Sequence, residues 1–253
     1  MFLAIDVGNT HTVLGLYDGA VLRHHWRLQT DAGRTMDEYG LMVRSLLSEE
    51  ERKGVDGIAI ACVVPAMTNL VEGLCRAYLD VEPLVVGPGV KTGMPIFYEN
   101  PRDVGADRIV NAVAAYERTK DVTIVVDFGT ATTFDFVSGK GEYMGGVIAP
   151  GLGVASDALF DRAARLYRVE LVKPKQVVGR NTVQAIQAGV VYGYVALVDG
   201  LVHRIQKENK CKARVIGTGG FAGLIAPESE TIEEVDEFLT LDGLRLLFER
   251  NAE

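Results

Sequence analysis

The sequence predicts an α/β protein made of two duplicated halves that share a cleft, and three observations predict it. The Asp-Gly turn Asp6-Val7-Gly8-Asn9-Thr10 has a counterpart at Asp127-Phe128-Gly129-Thr130-Ala131. Each turn separates two apolar runs that read as strands, Met1 to Ile5 and Thr12 to Tyr17 in the first copy, Val122 to Val126 and Thr132 to Val137 in the second. Strand-like and helix-like segments alternate along the rest of the chain, as an α/β fold requires. With an offset of 121 residues, Asp6 falls on Asp127, Gly8 on Gly129, Asn9 on Thr130 and Thr12 on Thr133. That spacing is far longer than a solenoid period. At 253 residues and 48% hydrophobic the chain can bury a core in each half, and the expected division is 1–117 and 118–253.

After the first hairpin, Val21 to Gln29 reads as a third strand and Met36 to Glu51 as one amphipathic helix. Gly57 to Val63 follows as a strand, Met67 to Tyr78 as a helix and Leu84 to Val86 as a short strand. Pro88 to Val104 is rich in Gly, Pro and Asn and reads as an irregular loop suited to carry function. A helix from Arg108 to Thr119 leads into the second copy, whose further elements are strands at Tyr143 to Ile148 and Ala213 to Ile216 and helices at Val154 to Leu166 and Val183 to Glu208. The longest apolar stretch, Ala185 to Val202, contains Gln187, Asp199 and three glycines. It therefore reads as a core or interface helix rather than a membrane span.

The 26 basic and 34 acidic residues give a net charge of -8, which argues against a general nucleic-acid or anionic-membrane binder. Cys62, Cys75 and Cys211 show no Cys-x-x-Cys spacing, so neither a disulfide nor a structural zinc is expected. Met1 to Ile5 runs straight into the first turn without a basic leader segment, and the expected location is cytoplasmic.

A carboxylate at a strand end can hold a hydrated cation, and glycine lets the backbone bring N–H donors up to a phosphate. Asn9, Thr10 and Thr12 in one copy, and Thr130, Thr132 and Thr133 in the other, add polar donors. An Asp-x-Gly can also be no more than a hairpin turn; the paired occurrence after matching strands favours phosphate. There is no G-x-x-x-x-G-K-[ST] and no G-x-G-x-x-G in the chain, so any ATP must use the Asp-Gly turns. Gly217-Thr218-Gly219-Gly220 suits a base or ribose lying flat on the backbone, and Gly145-Gly146 to Pro150-Gly151 reads as a neighbouring loop or a plain strand-to-helix connection.

Gly105-Ala106-Asp107-Arg108 stands where the irregular loop meets a helix. Asp107 can take the proton of a substrate hydroxyl, or simply cap the helix. Arg108 can pair with an anionic group. Tyr98 reads as a packing aromatic, Thr182 as the cap of the helix that follows, and His11 as a phosphate neighbour or a solvent-facing imidazole.

Taken together these motifs resemble the type III pantothenate kinases of the acetate and sugar kinase, heat-shock ATPase and actin superfamily. The likeness runs nearly end to end. Besides the two turns and Gly105–Arg108 it covers Gly145-Gly146, Pro150-Gly151, Gly179-Arg180-Asn181-Thr182, Gly217–Gly220, Leu239-Thr240-Leu241-Asp242-Gly243-Leu244 and Glu249-Arg250-Asn251. The resemblance implies two ribonuclease H-like domains with a nucleotide cleft between them. The implied reaction is transfer of the ATP γ-phosphoryl group to the primary hydroxyl of pantothenate, the first step of coenzyme A synthesis. It implies nucleotide contacts from Asp6, Val7, Gly8, Asn9, Thr10, His11, Thr12, Val13 and Thr130, and pantothenate contacts from Tyr98, Gly105, Ala106, Asp107, Arg108 and Thr182. Asp107 is implied as the base and Asp127 as the ligand of a monovalent cation, K⁺ or NH₄⁺, with Mg²⁺ accompanying ATP. A homodimer is implied too. Two alternatives differ in class: a non-catalytic regulatory member of the same fold, and a kinase for another small hydroxylated substrate.

Overall fold

The computed structural model describes residues 1–163 and 165–252; Ala164, within the expected Val154 to Leu166 helix, lies outside them. The chain divides into two compact units, Met1–Ala114 with Leu239–Glu253, and Ala115–Phe238.

The first unit is built on a sheet of β1 (Phe2–Val7), β2 (His11–Asp18), β3 (Val21–Gln29), β4 (Gly57–Cys62) and β5 (Leu84–Val85), ordered β3-β2-β1-β4-β5. β1 runs antiparallel to β2 and parallel to β4. Its continuous apolar run, FLAI, is what a strand covered on both faces needs. On one face Leu3, Ile5, Leu14, Ile58 and Ile60 pack with Tyr39 and Val43 of α1 (Met36–Leu46) and Met67, Val71 and Leu74 of α3 (Pro65–Leu74). The other face receives the C-terminal helix.

The single helix expected over Met36 to Glu51 is two. α1 stops at Leu46, Leu47 is extended, and Ser48 opens α2 (Glu49–Gly54) by accepting from the Glu51 amide while Glu51 answers the Ser48 amide at 2.8 Å. This capping box satisfies orphan amides reciprocally and starts a new helix where a continuous one was expected.

The second unit carries β6 (Thr123–Phe128), β7 (Ala131–Val137), β8 (Tyr143–Pro150), β9 (Arg214–Thr218) and β10 (Glu234–Val235), ordered β10-β9-β6-β7-β8. β6 is antiparallel to β7 and parallel to β9. The central strand thus has its hairpin partner on one side and a parallel neighbour on the other, as β1 does. α4 (Ala106–Thr119) carries the chain from the first unit into the second. α5 (Leu152–Arg162) and α6 (Thr182–Asn209) follow β8, and the one-turn α7 (Ala222–Ile225) follows β9.

Val191, Tyr194, Val198 and Val202 of α6 join Ile124, Val126, Phe128 and Phe134 in one core. Among the described residues α6 alone is long and apolar enough to cross a membrane. The charge within its apolar stretch is satisfied inside the unit: Asp199 accepts from Ser229 Oγ at 2.6 Å, Thr231 Oγ1 at 2.7 Å and the Glu230 amide at 3.1 Å. The core reading of the Ala185 to Val202 stretch holds for Val191, Tyr194, Val198 and Val202, while Gly193 is exposed.

The chain ends in α8 (Leu239–Ala252). The expected division left this segment with the second half, and its contacts group it with the first. Phe248 packs on Phe2 with ring centroids 4.9 Å apart, Tyr17 donates to Asp242 at 2.7 Å, and Thr240 donates to Asn111 at 2.7 Å. Gly243 lets the helix close in, since a Cβ there would lie 2.4 Å from the Val110 carbonyl oxygen.

Candidate active site

The Asp6 turn sits at the C-terminal end of β1, where open α/β sheets usually bind ligands. Asp6 and Val7 end the strand, Asn9 and Thr10 are exposed at the tip, and the exposed His11 begins β2 ahead of Thr12 and Val13. The turn is closed by the Gly8 amide donating to the His11 carbonyl at 3.0 Å. Thr10 O accepts from the Thr30 amide at 3.0 Å, and the buried Thr12 hydroxyl shares a hydrogen bond with Thr30 Oγ1 at 2.9 Å. Thr30 thus steadies the turn from β3's end, a role its position in sequence gave no sign of.

Gly105, Ala106, Asp107 and Arg108 come to the same end of the sheet. Val63 links the two places: its amide donates to Val7 O at 3.1 Å, and its Cγ1 lies 3.7 Å from where a Cβ on Gly105 would be. Asp107 lies in the first turn of α4, half-buried, with Oδ1 accepting from the Arg108 amide at 2.8 Å. Burial pushes its carboxyl above the usual value, and the hydrogen bond and charge of Arg108 oppose that only in part. Arg108 itself is buried. Tyr98 is exposed on the irregular loop, beside the exposed Phe97.

In the second unit Asp127 ends β6 directly opposite Thr133 of β7 and beside Thr218 of β9. The register corrects the alignment of the two turns. Thr12 pairs with Val7, whereas Phe128, the counterpart of Val7, pairs with Thr132. The second turn is one residue shorter, so Thr132 and not Thr133 answers Thr12. Both are buried, and the Thr132 hydroxyl has no hydrogen-bond partner.

Two glycines complete this turn. The Gly151 amide donates to Thr130 O at 3.1 Å, and a Cβ at Gly151 would stand 2.2 Å from that oxygen. Gly219 adopts φ +88°, and a Cβ there would lie 2.5 Å from Asp127 Oδ1. Gly219 thus brings the Gly217–Gly220 run up against the carboxylate, while Gly220 is exposed. Its signal was visible in the sequence, but its neighbour was not.

Thr182 opens α6, yet it does not cap it. Asn181 does, accepting from the Gln184 amide at 2.9 Å. Thr182 is exposed and lines an open groove of about 680 Å³ between α5 and α6, with Ala155, Leu159, Ile186 and Tyr194 among its walls. Tyr194 ties the groove to the second turn, because its hydroxyl donates to Pro150 O at 2.9 Å, next to Gly151.

Asp127 stands opposite Thr133 and beside Thr218, so the side chains the sequence places here are oxygen ligands, a carboxylate and hydroxyls. That chemistry fits a hard monovalent cation, and Gly219 keeps clear the space a side chain would fill. Among the described residues there is no cluster of three or more His, Cys, Asp or Glu side chains arranged for a metal. The three cysteines are free thiols, and burial pushes that of Cys75 up to about 12.

The family model described as "Type III pantothenate kinase" matches residues 2–204. The type III pantothenate kinase of Pelobacter propionicus is 57% identical over 253 residues, spanning 99% of this chain and 100% of the relative. That of Syntrophus aciditrophicus is 55% identical over 254 residues, spanning 100% of both. Among solved structures, the inorganic polyphosphate/ATP-glucomannokinase of an Arthrobacter species aligns over 99% of this chain and 98% of its own, with TM-score 0.52 and 15% identity. MreB 5 of Spiroplasma citri, solved with AMPPNP bound, aligns over 98% and 96% with TM-score 0.56 and 10% identity. These likenesses show an α/β fold of the sugar-kinase and actin type with two mixed-sheet units. The chain belongs to the type III pantothenate kinase family.

Proposed function

We propose that the chain uses ATP to phosphorylate pantothenate at its primary hydroxyl, giving 4'-phosphopantothenate, the entry to coenzyme A synthesis. One observation carries this: identity of 55–58% to type III pantothenate kinases along the whole chain, with every segment of the expected site present.

Phosphoryl transfer asks for alignment and charge neutralisation more than for covalent help. In this reading Asp6, Val7, Gly8, Asn9, Thr10, His11, Thr12 and Val13 hold the phosphates through backbone and side-chain donors, and Thr130 contacts the nucleotide. Tyr98, Gly105, Ala106, Arg108 and Thr182 bind pantothenate. Asp107 takes the hydroxyl proton, its Oδ1 held in place by the Arg108 amide. Its raised pKa makes it a stronger base than an exposed aspartate. Asp127 would hold the monovalent cation, which supplies positive charge beside the phosphates, while Mg²⁺ comes with ATP.

The two units are further proposed to be duplicated ribonuclease H-like domains, supported by their matching strand order and directions. A homodimer in the cytoplasm is proposed as the working form. The outward face of α6, with exposed Ala185, Gly189, Gly193 and Ala196, suits close approach of a second helix.

A substrate panel tests the reading. The purified protein with ATP and Mg²⁺ is given pantothenate, hexoses and other small alcohols, and kcat/KM is compared. Pantothenate should lead by orders of magnitude. Preference for another alcohol, or no turnover with any, would favour one of the two alternatives.

A further inference from the structure

The closing Glu249-Arg250-Asn251 segment has no part in the roles assigned above, yet it grips the loop that carries Tyr98. Asn251, in the last turn of α8, acts like a short length of strand: its Oδ1 accepts from the Lys91 amide at 2.9 Å and its Nδ2 donates to the Lys91 carbonyl at 3.0 Å. The same Nδ2 donates to Leu247 O at 2.8 Å, which fixes the amide's orientation. Arg250 Nη1 donates to the next carbonyl, Thr92 O, at 2.5 Å.

The loop is shaped to receive this grip. Gly93 turns at φ +67° over the Arg250 guanidinium, where a Cβ would lie 3.1 Å from Nη1. Thr92 Oγ1 donates to Met94 O at 3.0 Å and accepts from the Met94 amide at 3.2 Å, and Met94 is buried. Three and four residues later Phe97 and Tyr98 emerge exposed. The far end of the loop is held by Asn100, which donates to Asp103 Oδ1 at 2.8 Å, just before Gly105 and Asp107. Arg250 and Asn251 hold the loop at residues 91–93, and the buried Met94 and a β-bridge at Ile96 carry that hold toward Tyr98.

We infer that Arg250 and Asn251 are positioning residues for the pantothenate-binding step, acting through the 88–104 loop to set where Tyr98 stands. This rests on the proposed role of Tyr98 as a pantothenate contact. Ordering a loop before the ligand arrives removes that cost from binding, so the effect belongs to pantothenate affinity and not to the nucleotide.

The full-length protein carrying Asn251→Ala, Tyr98→Ala or both tests it, with kcat, KM for each substrate, thermal midpoint and amide exchange at Lys91 as readouts. Asn251→Ala should raise the pantothenate KM by about 5- to 30-fold, the worth of one or two hydrogen bonds. ATP KM should stay within about twofold and Lys91 exchange should quicken. In the Tyr98→Ala background the added effect should shrink to about twofold or less, because both changes act on one contact. Asn251→Asp keeps the acceptor for Lys91 N–H and loses the donor, so its KM should fall between; it also serves if the alanine variant folds poorly. An unchanged pantothenate KM, equal rises in both KM values, or additivity with Tyr98→Ala would overturn the inference. A Tyr98→Ala enzyme with normal pantothenate KM would remove the reading beneath it, while faster Lys91 exchange would still report the grip itself.

Discussion

Gly219 packs directly on the Asp127 carboxylate: at φ +88° its missing side chain leaves the space that a Cβ would occupy 2.5 Å from Oδ1. Gly219→Ala therefore meets both a strained backbone and a collision with the proposed cation ligand. We expect a loss of roughly 1–3 kcal/mol in stability together with weakened activation by K⁺ or NH₄⁺. Thermal unfolding and a potassium titration of turnover check both. A variant as stable and as potassium-responsive as the parent would show that the contact has no consequence.

Asp107→Asn keeps the shape of the side chain and removes its ability to accept a proton. Turnover should fall by about 10²- to 10⁴-fold, with ATP affinity little changed. Single-turnover kinetics and calorimetric ATP binding separate the two. Near-normal turnover would take Asp107 out of the role of base.

The same residue predicts a dependence on pH. Burial raises the Asp107 pKa above its ordinary 3.8, so the folded state holds the proton more tightly than the unfolded chain. Stability from this group is full below the ordinary value and is lost as pH rises through the folded pKa. Asp107→Asn should thus be more stable than the parent at neutral pH, and the difference should fade below about pH 4. The acid limb of kcat/KM should lie above the range of exposed aspartates. Melting curves across pH and a pH–rate profile measure the two.

Asp199 behaves in the opposite sense. Burial alone would raise its pKa, but hydrogen bonds from Ser229, Thr231 and the Glu230 amide outweigh that and hold it below the usual value. Its stabilising effect is present above the ordinary carboxylate pKa and is lost as pH falls through the lowered one. Asp199→Ala should cost about 2–4 kcal/mol by stranding those donors, measured by denaturant unfolding at neutral pH. A cost near zero would mean that water replaces the carboxylate freely.

The sequence made the two Asp-Gly turns legible because strand, turn and strand are local features with a strong pattern. The helices expected from Met36 and from Met67 were legible for the same reason, although the second starts at Pro65. The break at Leu47 was missed although Ser48 and Glu51 spell a capping box, since the apolar periodicity of α1 masked it. The one-residue difference between the turns was hidden because a fixed offset of 121 cannot show a deletion; only the pairing of Thr132 with Phe128 reveals it. The seat of α8 on the first sheet rests on contacts such as Phe248 with Phe2 of β1 and Asp242 with Tyr17 of β2, the latter 225 residues apart, which no local signal records. The approach of Gly219 to Asp127 and of Gly151 to Thr130 was unreadable for the same reason, though each glycine was noticed.

The most direct test is where the phosphate goes. The purified chain is incubated with ATP, Mg²⁺, K⁺ and pantothenate, and the product is examined by phosphorus NMR with coupling to protons. A new phosphomonoester signal coupled to the methylene protons of the primary alcohol is the predicted result. Coupling to the methine of the secondary alcohol, or no phosphorylated pantothenate while ATP is consumed, would contradict the account.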